Sequence, residues 1–312
     1  MARHASDLEL LRFEDDFDGE IRLDEPLSKH TSYRIGGPAR AYILVNSVAA
    51  LGAALNACAS DECPWVLVGK GSNLLVADKG YSGAVITLAG EFRNWKFNEE
   101  LDRVAVGAGT ILSRLVQEVF HRGYSGMEFA VGTPGTVGGA IRMNAGTKDD
   151  WIGSRVISVT TYCPGSGLKR YAPSDIEWSY RSTSFSDDEI IVECELQLKP
   201  ALSGNIHDRM RSLLERRKAS QPLEHPSCGS VFKNPEGHSA GALIDAVGLK
   251  GSVCGGAQIS EKHANFIVNK NNASASDVRN LIERAQEKVK EHYGIELQPE
   301  VKFLGFEEDF KN

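Results

Sequence analysis

Strand-like and helix-like segments alternate through the first two thirds of the chain, and this alternation predicts an α/β or α+β fold. Three observations carry the prediction. Short apolar runs at 41–45, 65–68, 84–88 and 103–106 read as buried strands. Stretches 48–59 and 110–121 carry apolar residues at helical spacing. In 189–198, Ile190, Val192, Cys194, Leu196 and Leu198 alternate with the polar Glu193, Glu195 and Gln197, the pattern of a sheet with one solvated face.

Residues 1–27 are acidic and weakly patterned and read as a mobile arm or an early helix. Strand 41–45 leads into helix 48–59, where Val48, Leu51 and Leu55 share a face. Strand 65–68 runs into the loop Gly69-Lys70-Gly71-Ser72-Asn73. In helix 110–121 Thr110 is the expected cap. Ile111, Leu112, Leu115, Val116, Val119 and Phe120 form its apolar face, and Gly123 is placed to end it. Strands follow at 156–162 and 189–198, the second ended by Lys199-Pro200. The small, polar stretch 201–204 reads as a boundary. Helices are expected at 206–219, at 240–247 before Gly248, and at 274–293. The last has a Ser274-x-x-Asp277 capping pattern and Gly294 beyond its end. Short strands at 264–268 and 301–304 complete the reading.

Composition excludes several functions. The 312 residues suffice for two or three domains, and 41% apolar with 25% charged residues is an ordinary globular balance. Apolar stretches are too short and interrupted for a membrane span. The acidic start does not resemble a secretory signal, so a cytoplasmic location is expected. The net charge is −7 and no basic stripe exists, so nucleic acid is not an expected partner. Arg216-Arg217-Lys218 reads as a solvated helix end. Six cysteines form no C-x-x-C pair and no His stands at zinc spacing, so no metal is expected and the thiols should be free.

Glycine is in excess, at 31 residues, where average usage gives roughly 22. Three loops hold much of it: 34–39 (Arg-Ile-Gly-Gly-Pro-Ala), 69–75 (Gly-Lys-Gly-Ser-Asn-Leu-Leu) and 132–140 (Gly-Thr-Pro-Gly-Thr-Val-Gly-Gly-Ala). Glycine lets backbone N–H groups converge on a diphosphate, and Ser or Thr hydroxyls add donors. A single such loop is usually a plain turn; three together point to a dinucleotide. The common nucleotide motifs are absent. A Walker A loop fails because Pro64 stands where its first Gly belongs and Gly71 follows Lys70. A Rossmann fingerprint at Gly107-Ala108-Gly109 fails because Leu112 stands at its third Gly.

The segments 31–39, 71–75 and 132–140, followed by Asn144-Ala145-Gly146, resemble the FAD-binding domain of the vanillyl-alcohol-oxidase/p-cresol-methylhydroxylase class. Three later segments narrow the likeness: Tyr180-Arg181-Ser182, residues 229–235 (Gly-Ser-Val-Phe-Lys-Asn-Pro) and Pro299-Glu300-Val301. With these the chain resembles the UDP-N-acetylenolpyruvoylglucosamine reductase family from about Leu27 to Gly305. The resemblance implies an α+β chain. Residues 1–27 would be an arm. Residues 28–200 would form an FAD-binding domain of two α/β subdomains, about 28–90 and 91–200. Residues 205–305 would form an α+β substrate domain, and 306–312 a tail.

The same resemblance implies the chemistry. NADPH would reduce non-covalent FAD. Flavin N5 would pass hydride to UDP-N-acetylglucosamine enolpyruvate, giving UDP-N-acetylmuramate for peptidoglycan. Ser230 would give the proton, and Arg181 and Glu300 would polarise the carboxylate. Taken singly these residues read as an ordinary loop hydroxyl, surface guanidinium and strand-edge carboxylate, and no spacing joins them. Flavin contacts are expected at Gly36, Gly37, Gly69, Lys70, Gly71, Ser72, Asn73, Leu74, Gly132, Thr133, Pro134, Gly135, Thr136, Gly138, Gly139, Ala140 and Asn144. Tyr180, Lys233 and Asn234 are expected at the substrate, with His263 and Asn265 as weaker pocket candidates. The short separation of Arg181 from Ser230 resembles the family form without an inserted tyrosine loop. A monomer is expected. Two other readings share the glycine loops: a sugar or alcohol oxidase of the same flavin fold, and a non-catalytic nucleotide-binding module. Lys70 is not essential to the cradle, so Lys70→Ala should lower flavin retention at most modestly, as read from flavin absorbance after gel filtration.

Overall fold

The computed structural model describes residues 17–147, 149–201 and 203–306. They form two compact units, each with its own apolar core. The first holds the described residues up to 23, with 41–69 and 83–215; the second holds 24–40, 70–82 and those from 216 onward. The chain passes between them inside strands Gly19–Pro26, Pro38–Val45 and Tyr81–Leu88, and inside the helix Ser203–Ser220.

In the first unit a four-stranded sheet runs in the order Gly19–Pro26, Pro38–Val45, Tyr81–Leu88, Trp65–Leu67, the last two parallel. Helix α1 (Val48–Ser60) is capped by Ser47, whose hydroxyl accepts from the Ala50 N–H. It buries Leu51, Ala54, Leu55 and Cys58 in a core shared with Ile43, Val45 and Ile86. A five-stranded antiparallel sheet runs Gly167–Tyr171, Val156–Cys163, Ile190–Gln197, Arg103–Gly107, Trp95–Asn98. Its middle strand shows the expected alternation: Cys194 and Leu196 are buried, while Glu193 faces solvent. Helix α2 (Leu112–His121) buries Leu112, Leu115, Val116 and Val119, and Gly123 follows it at φ +75°.

Thr110 does not cap α2. Ile111 is the N-cap residue, and the Leu112 N–H donates to the Gly135 carbonyl, so the neighbouring loop takes the capping role. The Thr110 hydroxyl is left buried without a hydrogen-bond partner among the described residues. The arm or helix expected over 1–27 does not hold for Gly19–Pro26. Residues 1–16 lie outside the described residues, but Gly19–Pro26 is an edge strand. Ile21 and Leu23 pack on the core while Glu20 and Arg22 pair with each other, a period of two that the acidic surroundings obscured. Helix α3 (Val137–Arg142), inside the third glycine loop, was not foreseen; Thr136 caps it through the Gly139 N–H. Helix α4 (Ser203–Ser220) opens within the turn expected at 201–204.

The second unit packs helices α5 (Ala240–Ala246) and α6 (Ala275–Tyr293) with a small antiparallel sheet, Val253–Cys254, Ala257–Ile259 and Ile267–Asn269. The strand expected at 264–268 starts only at Ile267, because residues 264–265 turn. A separate parallel pair joins Leu74–Val76 to Lys302–Leu304. Its core includes Tyr33, Leu75, Phe232, Ile244, Val278, Leu281 and Val301. Helix α6 has the expected capping box from Ser274 and Asp277 and ends at Gly294, φ +70°. No helix among the described residues is long and apolar enough to cross a membrane.

The start of α6 has a second cap that no local pattern announces. Asp78 accepts from the Ala275 N–H at 2.7 Å, the Ser276 N–H at 3.1 Å and the Ser276 hydroxyl at 2.9 Å. Two otherwise orphaned helix donors depend on it. Asp78→Ala should cost about 1–2 kcal/mol, measured as a shift of the denaturant midpoint.

Candidate active site

Arg181 lies in the first unit and Ser230 and Glu300 in the second. Arg181 sits in the two-residue turn of a minimal hairpin, Trp178–Ser179 paired with Ser182–Thr183. Its backbone is left-handed, φ +58°, uncommon for a residue with a side chain. Its Nη1 donates to the Gly146 carbonyl at 3.0 Å, and the guanidinium lies 5.0 Å from the centre of the Tyr180 ring. Tyr180 itself is 55% exposed.

The hairpin rests on the segment 142–146. The Thr183 hydroxyl donates to the Arg142 carbonyl at 3.0 Å, and Asn144 Nδ2 donates to the Ser179 carbonyl at 3.1 Å. The Arg142 guanidinium donates to the carbonyls of Phe185, Ser186 and Glu189. Burial lowers its pKa, and the nearby carboxylates Asp187, Glu189 and Asp188 oppose that shift. The Glu189 carboxyl is pushed up by its own burial. Hydrogen bonds from Tyr171, Ser186 and Thr161 outweigh this and hold it below the usual range. Arg142 was not among the expected residues; in sequence it reads as a plain helix end.

In the second unit, residues 228–235 form irregular backbone, left-handed at Gly229 (φ +84°), fastened on both sides. The Val231 N–H donates to the Asn265 carbonyl, and the Val231 carbonyl accepts from the Glu300 N–H at 2.7 Å. Asn265 spends its whole amide on Phe232, accepting from its N–H and donating to its carbonyl, both at 2.9 Å. The Lys233 N–H donates to the Gln298 carbonyl at 2.9 Å. Ser230 and Glu300 are thus linked through a single residue, Val231. Asn265 clamps this segment. Asn234 uses its Oδ1 on the Ala240 N–H, at 3.0 Å, at the start of α5.

Cys228 is buried, and that burial, with the Glu300 carboxylate nearby, pushes its thiol up to about 12; the Tyr33 hydroxyl acts the other way. Cys228 is a neutral thiol at physiological pH, and a buried neutral thiol is unreactive. The Tyr33 hydroxyl beside it is fully enclosed, with no partner of normal hydrogen-bond geometry among the described residues.

The expected flavin loops divide between the units. In the first, a Cβ on Gly69 would stand 2.6 Å from the Thr136 hydroxyl oxygen, so the strand-end loop and the third glycine loop converge there. Gly132, Pro134 and Gly139 are exposed. The exposed backbone of this loop, left-handed at Gly132 and Gly135 (φ +69° and +121°), lets a dinucleotide diphosphate approach closely. The N–H groups of Gly138, Gly139 and Ala140 are spent within the chain, on Ala108 O, Thr136 Oγ1 and Thr136 O. In the second unit, Gly36 and Gly37 press against the segment 76–80 of the chain. Gly71, at φ +59°, has no room for a Cβ beside the His30 carbonyl, 2.2 Å away. Lys70 is exposed and Ser72 half-buried. Asn73 turns its Nδ2 to the Glu300 carbonyl at 2.9 Å. Among the described residues no group of three His, Cys, Asp or Glu could hold a metal.

Residues 39–165 match the family described as FAD binding domain. With the α+β core, this match defines a flavin-binding protein of the fold class expected from sequence. Residues 221–304 match the UDP-N-acetylenolpyruvoylglucosamine reductase C-terminal domain. UDP-N-acetylenolpyruvoylglucosamine reductase 2 of Symbiobacterium thermophilum is 42% identical over 92% of this chain and 93% of its own. The Heliobacterium modesticaldum enzyme of the same name is 40% identical over 93% of this chain and 92% of its own. A crystal structure of UDP-N-acetylenolpyruvylglucosamine reductase from Thermus caldophilus superposes with a TM-score of 0.78 at 38% identity, covering 92% of this chain and 98% of that one. This chain belongs to the UDP-N-acetylenolpyruvoylglucosamine reductase family.

His263 reports on the clamp. Its Nδ1 accepts from the Asn265 N–H at 3.2 Å, and burial, with Lys250 nearby, lowers its pKa. A lowered folded pKa means the unfolded chain binds more protons below about pH 6.5. The stabilisation is fully present above that pH and is lost as pH falls toward the folded value. The stability lead of the wild type over His263→Gln should shrink as pH drops below about 6.5, measured by denaturant midpoints on both sides.

Proposed function

We propose that this protein reduces the enolpyruvyl group of UDP-N-acetylglucosamine enolpyruvate to give UDP-N-acetylmuramate, with NADPH as the reductant, as a cytoplasmic step of peptidoglycan precursor synthesis. The observation that carries this reading is the doubly fastened segment 228–235, which links Ser230 to Glu300 through Val231. Within the reading, residues 28–200 serve the flavin, in halves divided near 90, and 205–305 serve the substrate.

Bound FAD would supply the redox chemistry, accepting hydride from NADPH and passing it to the enolpyruvyl double bond. The residues of the chain do the rest. Arg181, a planar and permanently charged guanidinium, pairs with the substrate carboxylate at two points. Negative charge develops on the carbon beside that carboxylate, and fixed donors aimed at it lower the barrier. Glu300, in its protonated form, donates a hydrogen bond to that carboxylate and shares in holding it. Ser230 delivers its proton to the carbon. A serine hydroxyl is a weak acid, so the acceptor must be carbanion-like. The exposed Tyr180 ring and Lys233 would meet the sugar nucleotide.

The spectrum of the purified protein, followed anaerobically, tests both half-reactions. NADPH should bleach the flavin band and the enolpyruvyl substrate should restore it. Recovery only on admitting air would point to an oxidase. In Ser230→Ala, bleaching by NADPH should persist while reoxidation by substrate slows by about 10²–10⁴, the usual worth of a positioned acid. Unchanged turnover would remove Ser230 from the mechanism.

A further inference from the structure

We infer that Asn73 and Asn144, which the sequence places among the flavin contacts, are positioning residues that hold the backbones carrying Glu300 and Arg181. The inference rests on the catalytic reading of Arg181 and Glu300 given above.

In the first unit Asn144 is buried and left-handed, φ +42°, a conformation Asn tolerates better than most residues. Its amide is engaged at both ends. Nδ2 donates to the Ser179 carbonyl at 3.1 Å, and Oδ1 accepts from the Gly153 N–H at 3.3 Å. On either side of it, Arg142 O accepts from the Thr183 hydroxyl and Gly146 O accepts from the Arg181 guanidinium. The hairpin around Arg181 has only two residues per strand, and an isolated two-stranded hairpin is marginal even when longer. Three bonds to residues 142–146 hold the turn and its left-handed Arg181.

In the second unit Asn73 does the same for Glu300. The Lys302 N–H donates to the Asn73 carbonyl at 3.0 Å, and the parallel pairing of Leu74 with Lys302 follows. Asn73 Nδ2 extends this ladder one step back, to the Glu300 carbonyl. The Glu300 N–H goes to Val231. Both polar backbone groups of Glu300 are therefore tied, one to the loop expected at the flavin and one to the segment of Ser230. Each asparagine makes the position of a reactive side chain depend on a loop expected at the cofactor.

The test separates the half-reactions in the FAD-loaded enzyme. Asn144→Gly deletes both amide bonds and accepts the left-handed backbone. Asn144→Asp keeps the acceptor for Gly153 and removes only the donor to Ser179. Asn73→Ala removes the donor to Glu300. Each should slow reoxidation of reduced flavin by UDP-N-acetylglucosamine enolpyruvate about 10- to 100-fold, the effect of a displacement on the order of 1 Å. Flavin reduction by NADPH and the FAD dissociation constant should not change. Asn144→Gly should add little in an Arg181→Lys background, since both act through one group. Weakened FAD binding with normal reoxidation by the bound flavin would make these residues cofactor contacts and overturn the inference. Equal slowing of both half-reactions would reduce them to general structural supports and overturn it too. If Arg181→Lys leaves reoxidation unchanged, the catalytic reading itself fails and takes the inference with it.

Discussion

Backbone that leaves a helix or a ladder still has to satisfy its N–H and C=O groups, and the reactive residues of this protein sit on such backbone. A buried group left unpaired costs about 1–3 kcal/mol. Three asparagine amides and one guanidinium supply much of what is missing. Asn265 closes on Phe232, Asn73 on Glu300, Asn144 on Ser179 and Gly153, and Arg142 on three carbonyls of the loop 185–189. These side chains imitate short strands where no strand can form. They let irregular segments hold a fixed geometry while leaving the side chains of Arg181, Ser230 and Glu300 to their own contacts.

How much of this was legible follows from the range of each interaction. Helices α1, α2 and α6 and the alternating strand 190–197 were read from local pattern, because apolar period, capping boxes and terminal glycines act within a few residues. Thr110 was misread because its supposed role went to the Gly135 carbonyl, from a loop distant in sequence. The asparagine clamps were invisible for the same reason: Asn144 and Ser179 are 35 residues apart, and Asn73 and Glu300 are 227 apart. An asparagine in a glycine loop is equally consistent with ligand binding and with long-range clamping. The bonds to Ser179 and Glu300 leave no local pattern in the sequence.

The candidate site was legible in a different way. Nothing in the physics of Arg181, Ser230 or Glu300 taken singly marks them; the motifs around them do. The structure adds what a motif lacks. It shows Ser230 and Glu300 tied to a common residue, Arg181 held in an uncommon conformation, and Cys228 kept protonated by burial despite its place beside Gly229. It also shows the Asn234 acceptor engaged at the start of α5.

The parallel pairing of Leu74–Val76 with Lys302–Leu304 has a consequence for how the chain is made. The first of these strands leaves the ribosome long before its partner exists. With 227 residues separating Asn73 from Glu300, translation at about 5–20 residues per second imposes a wait on the order of 10–45 s. The first unit can complete itself during that interval, since its segments end near residue 215. Leu75, fully buried in the finished unit, has no strand to pair with until then. A nascent chain of this design therefore presents an apolar, unpaired segment to the cell for most of its synthesis, which is the kind of surface that chaperones shield.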